Sequence, residues 1–400
     1  MRTYIIQYDL SRPSTPIWGL EGYQQAFVLV RNGRRPLGIL YLTLSPWQVT
    51  LSHRQLEQAI ADQLNISPEE QTTYARRTEF TCDLNLPISI VVCTRDRAYS
   101  LRQCLKALSR LEYKTYEVIV VDNASRDQAT AEVVSETPFR SVREDRPGLN
   151  WARNRGIAEA QYDIIAYVDD DVRVDPGWLQ GVATAFADPQ VSAMTGLVLP
   201  AELETPAQHL FEQYGGMGKG MLPRQFQRET LRPQDLIAVH AVGVGANMAF
   251  RRNVFEIVGN FDTALDVGTP ARGGGDLDMF HRILTAGLTL RYEPTALVWH
   301  QHRRDMDGLR QQLYNNGCAF GVYLIKVWRR GQVGRGKVLH FALWQWIVGW
   351  LLNRLVKGLL RRHTFPLRLV WAELWGMLHA PWTYFATYRY DRKVRSNSLL

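Results

Sequence analysis

Three short apolar runs separated by helix-like segments constrain the fold of this chain more than any other feature. The runs are ISIVVC at residues 88–93, YEVIVVD at 116–122 and IIAYV at 164–168. Each is nearly continuous, as expected of strands that are buried on both faces of a sheet. The segments LRQCLKALSRL and NWARNRGIAEA lie between them and have helical spacing. This alternation predicts a parallel sheet with helices on both faces, a three-layer α/β/α sandwich.

Three consecutive aspartates, Asp169–Asp171, follow the third run. In open α/β sheets ligands bind at the carboxyl ends of the strands. Adjacent carboxylates repel one another, so the cluster favours a divalent cation, and a magnesium- or manganese-bound diphosphate fits this chemistry. The alternative is an acidic turn before the next helix, with Asp175 as N-cap and Pro176 at the first helical position. Asp175 can fill that role alone, so this alternative leaves the three consecutive aspartates unexplained.

Length and composition indicate a globular protein of two or three domains, with 400 residues, 46% apolar and 22% charged. Residues 1–82 are predicted to form a small accessory α+β domain. It contains a hairpin turning at Asn32-Gly33 and a polar helix near Ser52–Leu64. The main α/β domain is expected at 87–310 and a basic, tryptophan-rich helical region at 311–400.

The positive charge of the chain lies in its C-terminal part. The net charge is +8, but residues 326–395 carry 14 Lys and Arg against two acids and seven of the twelve tryptophans. The uncharged run 338–353 is shorter than the ~20 residues of a membrane span. Aromatic residues among cations suit a membrane interface, so we expect this region to lie on an anionic membrane surface. The alternative is a helical appendage packed on the main domain, and no motif suggests nucleic-acid binding.

The cysteines and the N-terminus predict a reducing compartment. The four cysteines lack metal-ligand spacing and are too few for a disulfide scaffold. MRTYIIQYDL lacks the apolar core of a signal peptide. The expected location is the cytoplasm. The basic C-terminal region further suggests peripheral attachment to the inner face of the cell membrane.

Five motifs in order resemble glycosyltransferase family 2. They are CTRDR, VVDNAS, YVDDD, GANMAFRR and GGGDLDMFHR, within residues 87–305. The resemblance implies the GT-A fold and transfer of a sugar from a nucleotide-sugar donor to an acceptor hydroxyl, usually with inversion. The acceptor, whether glycan, lipid or protein, is not specified by these motifs.

The resemblance also implies a set of donor-binding residues, namely Thr94, Arg95, Asp96, Asp122, Arg153, Asp169 and Asp170. The turn that carries the first three would touch the base and ribose, as would Asp122, while Arg153 would favour the diphosphate. Alternatives remain open for several of them: a turn that leads into a helix for the first three, an Asx-turn for Asp122, and a surface ion pair for Arg153 and Arg155.

The metal site implied by the resemblance uses Asp171, the last aspartate of the cluster. Asp169 or Asp170 would contact the ribose or the metal shell, and the ion would be Mn²⁺ or Mg²⁺, stabilising the leaving nucleoside diphosphate. A histidine late in the domain completes the shell in some GT-A enzymes, which suggests His300 ahead of His302. The alternative is that both histidines are structural.

Asp276 in GGGDLDMFHR is the candidate general base that deprotonates the acceptor. Many relatives carry Glu-Asp where this chain has Gly275-Asp276, so the aspartate matches and the glutamate does not. Asp276 also sits where a helix N-terminus stabilises a carboxylate, and it could serve only as a cap. Asp278 is the second choice for the base.

Other functional classes fit less well. Phosphatases of the haloacid dehalogenase type place their aspartates after the first strand of the domain, whereas here that strand ends in Cys93-Thr94. A nucleotidyltransferase would need a Gly-rich triphosphate loop near residue 94. A non-catalytic sugar-nucleotide-binding or scaffold protein on the same fold remains the main alternative, although Asp171 and Asp276 are both present.

Overall fold

The computed structural model of the chain describes residues 2–13, 16–67, 69, 85–360 and 365–397. Its N-terminal part is a small sheet covered by one helix. The elements are β1 (Thr3–Asp9), β2 (Ile17–Trp18), β3 (Gln25–Asn32), β4 (Arg35–Thr43), β5 (Thr50–Leu51) and α1 (His53–Leu64). The predicted hairpin is confirmed, because β3 and β4 pair antiparallel across the Asn32-Gly33 turn. The predicted boundary near residue 82 lies outside the described residues, so the division into domains stays a prediction.

The main sheet begins after Pro87. Its strands are β6 (Ile88–Thr94), β7 (Tyr116–Asn123), β8 (Arg140–Glu144), β9 (Ile164–Asp169), β10 (Val172–Val174), β11 (Val191–Pro200), β12 (Arg224–Phe226), β13 (Asn247–Arg251) and β14 (Thr289–His300). The order is β10-β14-β11-β13-β9-β6-β7-β8, with β12 paired to β14. Strands β9, β6, β7 and β8 are mutually parallel, whereas β13 runs antiparallel to both neighbours.

Helices cover both faces of this sheet, so the predicted α/β/α sandwich is confirmed. The helices of this region are α2 (Ala98–Leu108), α3 (Ala129–Ser135), α4 (Leu149–Glu159), α5 (Trp178–Phe186), α6 (Pro206–Tyr214), α7 (Asn253–Val258) and α8 (Gly275–Thr285). Alternate residues of β6 explain the two layers. Val91 packs with α4 and α8, while Ile90 and Val92 pack with α2, α3 and α5.

The helix expected to start at Pro176 begins two residues later, at Trp178, and Asp175 is therefore not adjacent to its first residue. The Asp175 carboxylate accepts hydrogen bonds from Gly177 N and from Arg31, both at 3.0 Å. Residues 202–235 have no clear sequence period, and they contain α6 and β12.

The C-terminal region is helical, as predicted, and it packs on the main domain. It consists of α9 (Met306–Arg330), α10 (Arg335–His340), a π-helix (Phe341–Leu352), α11 (Asn353–Leu359) and α12 (Leu367–Asn397). Glycines let α9 and α12 meet backbone to backbone. A Cβ on Gly317 would lie 2.0 Å from the Glu373 carbonyl oxygen, and one on Gly376 would lie 2.0 Å from that of Tyr314. In the described part of the chain, no helix is both long and apolar enough to cross a bilayer.

A buried charge cluster fixes α9 to α8. Asp278 is fully buried and forms ion pairs with Lys326 at 2.8 Å, Arg330 at 2.7 Å and Arg282 at 2.9 Å. Burial alone would raise the pKa of Asp278, but these cations lower it to about 2. Lys326 also reaches Asp262 at 2.5 Å. Asp278 is thus a structural anion, and its second-choice role as general base is wrong.

Candidate active site

The carboxyl ends of β6 and β9 open onto a cavity of about 690 Å³. One wall consists of the strand ends and the turns after them. Other parts of the lining come from the segment around residues 215–219, from the start of α8, and from the C-terminal helices. This volume lies within the range of small-molecule sites, about 300–1,000 Å³.

The three aspartates of the triplet have different surroundings. Asp170 is buried and accepts hydrogen bonds from Thr94 Oγ1 and from Arg97, both at 2.7 Å. Arg97 also reaches Asp171 Oδ2 at 3.1 Å. Burial and the neighbouring Asp171 raise the pKa of Asp169. All three aspartates line the cavity, and Asp170 is the one whose two oxygens are both engaged, by Thr94 and Arg97.

Asp169, Asp171 and His300 form a group that fits a divalent cation. One ligand atom from each lies within 4.8 Å of the other two. Asp171 Oδ1 is buried without a hydrogen-bond partner, and it lies 3.4 Å from His300 Nε2. A buried carboxylate oxygen left unpaired is costly unless a ligand satisfies it. Carboxylate oxygens with one imidazole suit Mn²⁺ or Mg²⁺, so the residues present fit the expected metal.

A chain of side chains behind His300 orients its ring for this role. His300 Nδ1 lies 3.0 Å from His302 Nδ1, and His302 Nε2 lies 2.8 Å from Glu212 Oε1. The Glu212 carboxylate only accepts, so His302 Nε2 carries a proton, and in the neutral ring His302 Nδ1 accepts from His300 Nδ1. His300 Nε2 is then left with its lone pair facing Asp171. Burial lowers the pKa of His300 to about 4, which also favours the neutral ring.

Asp276 lies on the cavity wall at the start of α8. Its Oδ2 accepts from Gly245 N and its Oδ1 from Leu277 N, both at 2.8 Å. Burial and the nearby Asp266 raise the pKa of Asp276, against the lowering by Arg153 and the two N–H groups. A raised pKa improves a carboxylate as a proton acceptor.

The structure brings only some of the predicted donor residues to the cavity. Thr94, Arg95 and Arg153 line it, together with the aspartate triplet. Asp96 and Asp122 are not part of the lining. Asp122 accepts from Ser125 N at 3.1 Å and pairs with Arg143 at 2.7 Å, the turn-forming alternative. Donor contacts by Asp96 and Asp122 stay a prediction that the cavity does not support.

The two arginines of α4 have different surroundings. Arg153 is buried, pairs with Asp266 at 2.6 Å and donates to Asn150 Oδ1 at 3.0 Å. Arg155 is exposed and pairs with Glu159 at 2.7 Å. The surface-pair interpretation thus describes Arg155 and not Arg153.

Several lining residues were not predicted from sequence. Arg97 belongs to the CTRDR motif, so its position after β6 was a usable signal. Lys219 lies in the segment without periodicity, and His240, Trp346 and Glu373 belong to no motif. No local pattern marks these four, because only the tertiary fold brings them to the cavity.

The cavity and the carboxylate–histidine group lie at the carboxyl ends of the strands, which is where open α/β sheets generally bind ligands. Residues 89–259 match the model of the family "Glycosyl transferase family 2". This match supports the resemblance that the motifs indicated, because four of the five motifs lie within it and only GGGDLDMFHR lies beyond its end.

The chain is similar to curated proteins named as glycosyltransferases. It is 28% identical over 238 residues to a pre-mycofactocin glycosyltransferase of Mycobacterium tuberculosis, covering 58% of this chain and 46% of that protein. It is 25% identical over 272 residues to the glycosyltransferase AglE of Haloferax volcanii, covering 66% and 81%. The chain thus spans about half the length of the first of these relatives.

Solved structures show a weaker likeness. The mannosyltransferase PcManGT from Pyrobaculum calidifontis, in complex with GDP-Man and Mn²⁺, has a TM-score of 0.45 and 16% identity, covering 80% of this chain and 78% of that one. Residues 1–349 of Staphylococcus aureus TarS give a TM-score of 0.45 and 14% identity, covering 76% and 92%.

Proposed function

We propose that the protein is a metal-dependent glycosyltransferase that moves a sugar from a nucleoside diphosphate sugar to an acceptor hydroxyl with inversion. The observation that carries the proposal is the unpartnered Asp171 Oδ1 beside His300 Nε2, in the same cavity as Asp276. The family-model match over residues 89–259 and the names of the similar proteins support the reaction class.

In this proposal Asp169, Asp171 and His300 would hold Mn²⁺ or Mg²⁺. When bound, such an ion neutralises the charge that develops on a departing diphosphate. Arg153 adds a fixed positive charge to the wall. Asp276 accepts the proton of the acceptor hydroxyl, whose oxygen attacks the anomeric carbon from the side opposite the diphosphate. Gly245 N and Leu277 N hold the carboxylate in place for that transfer.

Thermal shifts test donor and metal together. The purified protein is melted with UDP-, GDP-, dTDP- and CDP-sugars, each with and without Mn²⁺. We expect one donor to stabilise the protein only when metal is present, because a ligand that binds only the folded state raises its stability. Asp171→Asn should abolish this shift, whereas the exposed control Asp307→Asn should keep it. A shift that is equally large without metal would contradict the metal role.

The base is tested by turnover at saturating donor and Mn²⁺. Asp276→Asn should keep the donor shift and lose about 10²–10⁴-fold in transfer rate. Full transfer by Asp276→Asn would exclude it as the base. A donor that binds but is never transferred, even by the parent protein, would favour the non-catalytic sugar-nucleotide-binding alternative.

We also propose that the outer face of α12 contacts an anionic membrane surface. Five large apolar side chains on it are 50–72% exposed and are spaced four and three residues apart: Trp371, Trp375, Leu378, Trp382 and Phe385. This spacing places them on one face of a helix. An exposed apolar stripe marks a contact site, and the net positive charge of residues 326–395 matches anionic lipid headgroups.

Cosedimentation with vesicles containing about a quarter phosphatidylserine tests the membrane contact. The double variant Trp375→Ser/Trp382→Ser should lose most of its binding to vesicles, since each of these exposed rings would bury its apolar area in the membrane interface. Trp18→Ser/Trp47→Ser is the matched control, because those tryptophans are also exposed but lie in the N-terminal part. Equal binding by both double variants would refute the assignment. Truncation near Lys326 is unsuitable, because α9 and α12 contribute to the buried core.

A further inference from the structure

The C-terminal helices form one wall of the cavity, and that wall contains buried polar atoms without partners. Glu373 of α12 and Trp346 of the π-helix line the cavity, as does His240 from a short 3₁₀ turn. Among the described residues, Glu373 Oε2, Trp346 Nε1 and His240 Nδ1 find no hydrogen-bond partner. Each such atom costs about 1–3 kcal/mol in a closed core. Three on one wall point to a ligand that supplies hydroxyl groups.

Aromatic rings lie beside these polar atoms on the wall. The Trp346 and Trp350 rings are stacked, with centroids 5.7 Å apart and planes at 18°. The ring centroids of Phe320 and Trp346 lie 4.2 Å apart, and the Arg354 guanidinium lies 3.7 Å from the centroid of the Trp350 ring. Such rings offer apolar faces to the C–H face of a ligand, while the polar atoms at their edges meet its rim.

The two titratable side chains that carry unpartnered atoms, Glu373 and His240, are uncharged at pH 7 and therefore suit neutral hydroxyl groups. Glu373 is 2% exposed, and burial raises its pKa to about 8, so the carboxyl group is neutral at pH 7 and can both donate and accept. His240 is also neutral, because burial lowers its pKa to about 4. A cluster of apolar C–H groups surrounded by hydroxyls is the chemistry of a pyranose ring.

We propose that Glu373, Trp346 and His240, with the rings of Trp350 and Phe320, form an acceptor subsite that binds a neutral sugar ring. This inference rests on the proposed glycosyl transfer. The ring would meet the aromatic faces with its C–H groups. The three unpartnered atoms have almost no accessible surface in this structure, so their side chains would turn towards the cavity to pair with the hydroxyls of the ring. Because Asp276 lines the same cavity, one acceptor hydroxyl can then be directed towards the strand edge.

Ligand-observed NMR tests the subsite with defined probes. Methyl glycosides of glucose, galactose, mannose and N-acetylglucosamine are titrated against the full chain in the presence of Mn²⁺ with UDP or GDP. At least one glycoside should show saturation transfer from the protein. Glu373→Met and Trp346→Leu should each weaken glycoside binding about ten-fold or more, because the first removes a polar partner and the second removes the aromatic ring and its N–H group. Trp344→Leu, an exposed position of the same π-helix, should bind like the parent.

Trp346→Phe separates the two contributions of that residue, since it keeps an aromatic face and removes the N–H donor. Absence of saturation transfer from every glycoside would overturn the proposal. So would unchanged binding in folded Glu373→Met and Trp346→Leu proteins, checked by their melting curves. Displacement of the glycoside by intact UDP-glucose or GDP-mannose would also overturn it, since the wall would then hold the donor's sugar.

The outcome is separable from that of the proposed function. Metal-dependent binding of UDP or GDP without any glycoside signal would reject the subsite and leave glycosyl transfer standing. A Glu373-dependent glycoside signal without nucleotide binding would reject the transfer reaction and, with it, the assignment of this sugar site to an acceptor. Octyl glycosides distinguish two sources of the same ring. Binding about ten-fold tighter than that of the methyl glycoside supports the subsite with a lipid-linked acceptor, whereas equal binding supports it with a free or protein-linked glycan.

Discussion

Replacing Glu373 by glutamine should stabilise the protein by an amount that grows with pH. Burial is the cause of the raised pKa of this carboxyl group, from 4.5 to about 8. Below pH 4.5 the group is protonated in both the folded and the unfolded chain, and its burial carries no ionisation cost. Between pH 4.5 and 8 the unfolded chain ionises while the folded chain keeps its proton, so stability falls as pH rises.

The size of this loss follows from the shift. Each unit of difference between the folded and unfolded pKa is worth about 1.4 kcal/mol, so the full cost approaches about 5 kcal/mol above pH 8. Glutamine has nearly the same shape and no ionisation, so the variant avoids this cost. At about 2 °C for each kcal/mol, the melting temperature of Glu373→Gln should exceed that of the parent by roughly 5–10 °C at pH 8.5 and by little at pH 4.5.

The assay is the difference in melting temperature between variant and parent, measured at half-unit steps from pH 4.5 to 9. Using the difference cancels the titration of every other group. Glu229→Gln, at an exposed loop position, controls for removal of one negative charge. A difference that stays constant across this range would refute the reasoning, because it would mean that the folded protein pairs and ionises Glu373.

Three further results are expected. Glu212→Met should weaken Mn²⁺ binding about 10–100-fold, measured by isothermal titration, because it removes the oxygen that accepts from His302 Nε2 and fixes the His302 tautomer; unchanged affinity would exclude this relay. Gly317→Ala should lower the melting temperature, since its Cβ would lie 2.0 Å from a backbone oxygen, whereas Gly336→Ala, with open space around it, should not. Asp278→Asn should cost about 3–5 kcal/mol in chemical denaturation at pH 7 by leaving buried cations unpaired. In the parent, the stability that Asp278 contributes is present above pH 3.8 and should disappear as pH falls through its folded pKa of about 2.

The strands and helices of the main domain were largely predictable, because their signals are local. The run 88–93 becomes β6 with one added residue, and the extents of β7, β9 and α4 follow their apolar patterns equally closely. The errors occurred where tertiary contacts override local preference. Asp175 resembles an N-cap in sequence, but the helix begins only at Trp178, and the Asp175 carboxylate is shared between Gly177 N and Arg31, which lies 144 residues earlier in the chain.

The site was predictable to the extent that motifs carry it. Asp171 and His300 were each predicted as metal ligands, and Asp171 Oδ1 lies 3.4 Å from His300 Nε2. Glu212 is 90 residues from His302 in sequence, so nothing local could have linked them. Asp278 also differs from its expected surroundings, because the three cations around it come from two helices and become neighbours only after α9 packs on α8.

The contacts between α8 and α9 determine where this chain can be recombined with a homologue. A crossover near residue 305, where the sequence pattern suggests a boundary, would take Lys326 and Arg330 from one parent and Asp262 and Asp278 from the other. If the two parents differ at these positions, a buried charge would lose its partner. The chimera would then misfold before its substrate specificity could be measured. A crossover upstream of Asp262, after β13, keeps every ion pair of the cluster within one parent. Asp276 and the C-terminal cavity wall should therefore be inherited together, as one exchangeable unit.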